Sequence, residues 1–284
     1  MWLDELRDLL RGASGGFLFG IPLLYTVEVW SIGSSTQSIR LLAVLGTTFI
    51  VVLLLTEVQG FRRTLALRPL EAVMESVEAL SLGVVCAAIA LVLLRRITLA
   101  TPLSETLGKL IFEAVPFAIG VALARSTLSR ERPAAGDRRR LERPRFTAIT
   151  PFNLRDTLID LDATLLGAVI IAFSVAPTEE IPLLASAIPP LWLLLIIGAS
   201  LLLSYAIVFA SGFTDRTERQ QRGLLLSPVT ETLVAYLVAL LASAVMLVFF
   251  QQLTLTDPWP EWLGDIIVLG LPASVGGAAG RILI

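Results

Sequence analysis

Eight apolar segments dominate this sequence, and each is long enough to cross a lipid bilayer as a helix. At a rise of about 1.5 Å per residue, about 20 residues cover a hydrocarbon core of roughly 30 Å. The segments lie near residues 12–30, 41–58, 74–94, 104–124, 159–178, 190–210, 229–250 and 262–283. Only helices and closed barrels satisfy their backbone in lipid, and these runs are too long for barrel strands. The sequence therefore predicts an all-α polytopic membrane protein with eight transmembrane helices.

The composition argues against most other classes of protein. Hydrophobic residues make up 55% of the chain and charged residues only 16%, against about a quarter in a typical soluble domain. There is no histidine, the commonest general base and metal ligand. The only cysteine, Cys86, lies inside an apolar run and is expected to be inert packing. No catalytic or phosphate-binding motif is present, so we expect no enzyme and no cofactor. The nearly neutral net charge of −2 argues against a nucleic-acid partner.

The basic residues lie mostly on one side of the predicted spans. With the N-terminus inside the cell, the inner segments hold most of the arginines, including those of the stretches 126–155 and 216–222. The outer loops hold only Arg40, Arg95 and Arg96. Because cytoplasmic loops are enriched in Lys and Arg, the sequence predicts a multi-pass protein of the cell (inner) membrane with cytoplasmic N- and C-termini.

The stretch 126–155 is the one extended polar segment of the chain, and it is rich in Arg and Pro. This composition predicts a flexible basic cytoplasmic linker. Its arginines Arg138, Arg139 and Arg140 are suited to anionic lipid headgroups. The simpler interpretation is that they only fix the orientation of the chain.

The sequence also contains an internal repeat. A shift of 156 positions aligns 75–127 with 231–283 without a gap, and a shift of 152 aligns 11–64 with 163–216 less strongly. The matched pairs include residues that apolar composition alone would not bring into register: Gly15/Gly167, Glu28/Glu180, Glu75/Glu231, Pro116/Pro272, Gly120/Gly276 and Arg125/Arg281. The predicted organisation is a first four-helix repeat at 1–125, the linker at 126–155 and a second repeat at 156–284. Because four helices return the chain to the same side, the repeats are parallel.

Carboxylates near the outer ends of the first and fifth spans are candidates for a cation site. Glu28 and Glu180 occupy equivalent positions, and Glu179 precedes the second of them. Intramembrane carboxylates are costly and therefore often functional. A metal ion, if one is bound, is expected at Glu28 and Glu180, with carbonyl oxygens freed by Pro177 as further ligands. The alternative is that these residues end their helices at the headgroup level.

Two other sets of charges lie within or beside the predicted spans. Glu75 and Glu231 occupy the inner first turn of helices three and seven, where acidic residues also suit the helix dipole. Lys109 and Glu113 stand four residues apart on the fourth helix and can pair with each other. The counterpart of Lys109 is Asp265, which offers a second pairing across the repeats. We interpret Lys109 and Glu113 either as structural glue or as a gate or proton site.

The last predicted helix is rich in small residues, among them Gly270, Gly276 and Gly280. Such residues allow close helix approach within the chain or between copies in a homo-oligomer, and we favour the first. Pro116 and Pro272 are expected to bend the fourth and eighth helices.

The paired segments, above all APTEEI at 176–181, resemble a bacterial family of integral membrane proteins of unknown function. The resemblance covers nearly the whole chain and implies a membrane protein, but no activity. Duplicated units with acidic residues in both halves are also similar in style to cation/proton exchangers, although the Glu-x-Gly-Asp signature of one such group is absent.

These patterns favour a cation channel or transporter with an acidic site between two parallel repeats. The alternative is a membrane scaffold or sensor that binds lipid or a cytoplasmic partner through its linker and transports nothing. A membrane enzyme acting on lipid through carboxylates alone ranks third. The sequence leaves the ion, the choice of channel or carrier and the oligomeric state open.

Overall fold

The computed structural model describes residues 2–62, 69–127, 154–210 and 227–283, and this part of the chain is all-helical. Ten α-helices and one turn of π-helix follow one another along it, and no strand occurs among the described residues. The linker arginines Arg138, Arg139 and Arg140 lie outside the described residues. The helices are α1 Trp2–Leu24, α2 Val27–Ser35, α3 Ser38–Arg62, α4 Pro69–Leu93, α5 Leu103–Thr127, α6 Leu154–Val175, α7 Glu180–Ser186, α8 Pro190–Tyr205, α9 Pro228–Phe249 and α10 Trp259–Leu283; the π-helical turn Ala206–Ala210 continues α8.

Seven of the described helices are long and apolar enough to cross a membrane: α3, α4, α5, α6, α8 with its π-helical turn, α9 and α10. They confirm seven of the predicted spans. The remaining span was predicted as one continuous helix over 12–30, and this is wrong. Helices α1 and α2 meet there at a bend of 87°, and only the two together are long and apolar enough to cross a membrane. The break comes after Leu24, where the Thr26 N–H donates a hydrogen bond to the Leu23 carbonyl (N···O 3.0 Å) and the regular helix ends.

The helices run antiparallel to their main partners, which defines two faces of the molecule. Gly12 on α1 lies beside Arg125 near the end of α5, and Arg281 near the end of α10 pairs with Glu231 at the start of α9. We call the face with these residues the terminal face. The opposite side, where α4 passes to α5 and α9 to α10, is the turn face.

In each half of the chain the last helix is central. In the first half, residues 2–127, α5 packs against α1, α2, α3 and α4. In the second half, residues 154–283, α10 packs against α6, α7, α8 and α9. These two have the lowest mean hydropathy of the seven spans and are also the most buried. Their polar and small residues therefore face protein, while the more apolar helices face lipid.

Glycines allow the central helices to approach their neighbours closely. A Cβ atom at Gly15 would overlap the backbone of α5 at Gly120, and one at Gly167 would overlap the backbone of α10 at Gly276. Backbone contact of this kind is a common way to pack helices in lipid, where the hydrophobic effect does not drive association. The small residues of α10 are thus used within the chain, as the sequence favoured.

The two halves are joined mainly by α1, which packs against α10 and the π-helical turn. The Tyr25 hydroxyl at the end of α1 donates to the Val268 carbonyl at 2.7 Å. Trp192 at the start of α8 donates its indole N–H to the Leu93 carbonyl at 2.7 Å, and Arg95 stacks over its ring.

Candidate functional site

Glu113 is the most deeply placed carboxyl group among the described residues. It lies about 15 Å along the axis from the start of α5, close to the middle of that helix. Its side chain is fully buried, and neither carboxylate oxygen has a hydrogen-bond partner. Buried polar groups are nearly always hydrogen-bonded, and intramembrane carboxyls are costly. A buried carboxyl group without a partner makes Glu113 the strongest candidate for a functional residue in the described part of the chain.

The predicted pairing of Lys109 with Glu113 is wrong. The Lys109 ammonium contacts the Glu105 carboxylate at 2.6 Å and donates to the Arg96 carbonyl at 3.0 Å. Helical side chains lean toward the N-terminus of their helix, so Lys109 reaches back one turn rather than forward to Glu113. Its aliphatic stem is buried while the charge lies toward the turn face. Asp265, the second predicted partner, is not bonded to Lys109 either.

Trp30 completes the surroundings of Lys109 at the turn face. The Lys109 ammonium lies 5.8 Å from the centre of the Trp30 ring, and the Arg96 guanidinium lies 5.2 Å from it. Burial lowers the pKa of Arg96 from its usual value. Two cations stacked on one indole hold α2 and the turn between α4 and α5 together. Lys109 is therefore part of the packing of the turn face.

Glu28, Glu179 and Glu180 lie just beyond the breaks that follow α1 and α6. Glu28 stands in the first turn of α2 and is exposed; Glu179 precedes α7 and is also exposed. Glu180 is half-buried, and its Oε2 atom is buried without a hydrogen-bond partner. The Pro177 carbonyl, expected as a free ligand, accepts from Gln252 at 3.3 Å.

The described residues contain no group of three or more Cys, Asp or Glu side chains able to hold a metal ion together. A metal site built from Glu28 and Glu180 therefore lacks a third carboxylate among these residues. Since α2 packs on α5 and α7 on α10, each glutamate belongs to the turn face of its own half.

Glu231 forms an ion pair with Arg281 at the terminal face. The Arg281 side chain is almost completely buried and also lies over the Phe209 ring of the π-helical turn, 5.5 Å from its centre. Glu75, the counterpart of Glu231, is exposed. In the first half it is Glu78, one turn further along α4, that pairs with an arginine: its carboxylate lies 2.6 Å from the Arg125 guanidinium.

The Arg281–Glu231 ion pair was not predicted from the sequence, although the sequence contains a signal for it. The arginine and the glutamate each recur in the sequence at a spacing of 156, as Arg125/Arg281 and Glu75/Glu231, one near the end of a helix and the other near the start of its antiparallel neighbour. The π-helical turn beside the pair left no sequence signal that we recognise. Single π turns occur frequently at functional sites, and this one contacts both α1 and α10.

A helical bundle with seven candidate spans, one bent pair and a buried carboxyl near the middle of one span defines a polytopic α-helical membrane protein. Residues 8–284 match the family described as "Putative integral membrane protein (DUF2391)", and the chain belongs to that family. The resemblance predicted from APTEEI is thereby confirmed. No curated protein and no solved structure matches the chain.

Proposed function

We propose that the protein transports a cation across the membrane and that Glu113 is the carboxyl group that binds it. The observation that carries this proposal is the complete burial of Glu113 near the middle of α5 with both oxygens unpaired. A carboxyl with a purely structural role would be expected to have a donor or a countercharge. An unpaired one can take up and release a cation when a change in packing brings water to it.

Glu28 and Glu180 are proposed to act at the turn face, where they would attract the cation before it reaches Glu113. The exposure of Glu28 and the half-buried position of Glu180 support such a role. The unpartnered Oε2 atom of Glu180 supports it further. Glu179 adds negative charge at the same face. Because exposed carboxylates are well solvated, we expect them to affect the rate of entry more than the existence of transport.

We infer that the bundle consists of two parallel copies of one unit, with α1–α5 corresponding to α6–α10. Two matched pairs of contacts between helices support this. Gly15 meets Gly120 as Gly167 meets Gly276, and Arg125 and Arg281 each pair with a glutamate of the preceding long helix. Helices α4 and α9 also end alike, with positive φ at Arg95 and Gln251, which are 156 positions apart. Each end is closed by a hydrogen bond back to the last turn, from Arg96 to Leu91 and from Gln252 to Leu247.

In such a pair of units the copies have diverged at the proposed binding position. The counterpart of Glu113 is Leu269, which is fully buried. One copy would then supply the binding group and the other an apolar partner surface. This supports a carrier with one central carboxyl rather than a symmetric acidic pore.

We further propose that the terminal face lies in the cytoplasm and that the membrane is the inner cell membrane. Helix α5 ends and helix α6 begins at this face, and the arginine-rich stretch 126–155 connects them in the sequence. Cytoplasmic loops are enriched in Lys and Arg. Arg138, Arg139 and Arg140 would then adjoin the anionic headgroups of the inner leaflet.

Cation flux into proteoliposomes tests the proposed function. The purified protein is reconstituted, and movement of H⁺, Na⁺ and K⁺ is followed with the wild type, with Glu113→Gln and with Asp162→Asn. Asp162 is an exposed carboxylate on α6 with no place in the proposed pathway, so it is the matched control. We expect flux of one cation, reduced at least about tenfold by Glu113→Gln and unchanged by Asp162→Asn. Wild-type vesicles that move none of the three cations would overturn the proposal.

A further inference from the structure

We propose that the cation bound at Glu113 is a proton, which deepens and rests on the transport function proposed above. The inference comes from what surrounds this carboxyl group in the bundle.

Among the described residues, no group of carboxylates accompanies Glu113 as a metal-binding site would require. Hard metal ions take about six or more oxygen ligands in proteins. The described residues hold no group of three or more carboxylate or thiol side chains that could bind one, and the corresponding residue of the second half is the apolar Leu269. No hydroxyl or amide of the described residues is hydrogen-bonded to either oxygen of Glu113. A proton is the cation that a single carboxyl group can bind without further ligands.

No described residue supplies the countercharge that would stabilise an ionised Glu113. The cation nearest in sequence, Lys109, is bound to Glu105 and to the Arg96 carbonyl. On the helices that pack against α5, the Tyr25 hydroxyl donates its hydrogen bond to the Val268 carbonyl, and the Glu78 carboxylate is paired with Arg125. The other charged or titratable side chains that the structure describes on these helices share no hydrogen bond or ion pair with Glu113: Glu5, Arg7, Asp8 and Arg11 on α1, Glu28 on α2, Arg40 and Glu57 on α3, and Glu71, Glu75 and Cys86 on α4.

A buried carboxylate with neither donors nor a countercharge is strongly disfavoured relative to the neutral acid. In the packed arrangement described here Glu113 is therefore protonated. When water reaches the side chain, the carboxylic acid gives its proton to a water molecule, leaving carboxylate and hydronium. The reverse step, in which hydronium returns a proton to one carboxylate oxygen and leaves water, restores the neutral and packed form. When uptake and release take place from opposite faces, each cycle moves one proton per chain.

A labelling experiment tests the protonation state without relying on flux. Dicyclohexylcarbodiimide, an apolar reagent, adds across its C=N bond to a protonated carboxyl group and rearranges to an N-acylurea, so one reagent molecule is gained per carboxyl. The detergent-solubilised full-length protein is treated at pH 6 and at pH 10, and the labelled peptide is found by mass spectrometry. We expect labelling at Glu113 at pH 6, several-fold less at pH 10, and none at exposed Asp162.

Two variants keep the test falsifiable. Glu113→Asp retains a carboxyl group and should still be labelled, while Glu113→Gln should lose the label but keep the size-exclusion profile of the wild type. Absence of label on Glu113 at pH 6 in the folded wild type would overturn the inference.

The flux assay separates this inference from the proposed function. Proton movement, followed with a pH-sensitive dye and abolished by Glu113→Gln, supports both. Na⁺ or K⁺ movement that depends on Glu113 while protons do not move would overturn the proton inference and leave transport standing. Wild-type vesicles without any cation flux would overturn the transport proposal itself.

Discussion

The Tyr25 hydroxyl donates to the Val268 carbonyl at 2.7 Å, and this bond joins α1 of the first half to α10 of the second. Val268 stands four residues before Pro272, which has no N–H to give it. The tyrosine therefore supplies the hydrogen bond that the proline removes from α10. The carbonyl left open by the proline of one half is satisfied by a side chain from the other.

Replacing Tyr25 by Phe should destabilise the bundle by about 1 kcal/mol, because the Val268 carbonyl loses its donor. Unfolding by SDS in mixed micelles measures this. In a Pro272→Ala background the backbone N–H of residue 272 can bond to Val268, so the same Tyr25→Phe change should cost clearly less. Equal costs in both backgrounds would show that the tyrosine does not compensate for the proline.

The close glycine contacts predict opposite effects of one substitution at two kinds of site. Gly276→Ala should cost about 1–3 kcal/mol, because its Cβ would overlap the backbone of α6 at Gly167. Gly198→Ala should be neutral or stabilise the protein by about 0.5–1 kcal/mol, since nothing lies within 4 Å of a Cβ there and alanine favours the helix. The unfolding free energies in mixed micelles give the answer, and a loss of stability at Gly198 similar to that at Gly276 would argue against the packing.

The two arginine–glutamate pairs of the terminal face should differ in strength. Glu231→Gln removes the carboxylate facing the buried Arg281 guanidinium and should cost about 3–5 kcal/mol. Glu78→Gln should cost only about 0.2–1 kcal/mol, because the Glu78 side chain is 54% exposed. The same unfolding assay compares them. If the exposed pair proved the more costly to break, the burial described for Arg281 would be contradicted.

The orientation of the chain predicts which side of the membrane each face meets. Cys86 is buried, so a cysteine introduced elsewhere should be labelled above a low background. Asp8→Cys lies toward the terminal face and Thr256→Cys on the turn face, and both positions are exposed. In intact cells an impermeant maleimide should label the Thr256→Cys protein at once and the Asp8→Cys protein only after permeabilisation. The reverse pattern would invert the proposed topology.

Hydropathy located the spans because lipid exposure requires apolar runs of a fixed length; the segment predicted at 229–250, for instance, is α9, Pro228–Phe249. It missed the 87° bend after Leu24, because composition reports how apolar a stretch is and not its direction. The predicted partner of Lys109 was wrong because residue spacing alone does not take into account that helical side chains point toward the N-terminus of their helix. Glu113 was identified from sequence as an intramembrane carboxyl, but its lack of partners depends on which helices surround it. Only the three-dimensional packing shows that.

The central position of the two least apolar spans has a consequence for the synthesis of the protein. Helices α5 and α10 carry charges, prolines and glycines that lower their affinity for lipid, and each follows the other helices of its half along the chain. When such a helix leaves the ribosome, its neighbours are already in the bilayer and provide a protein surface against which it can pack. In each half the central helix would then insert last. Until it does, the inner surfaces of the earlier helices would be exposed to lipid.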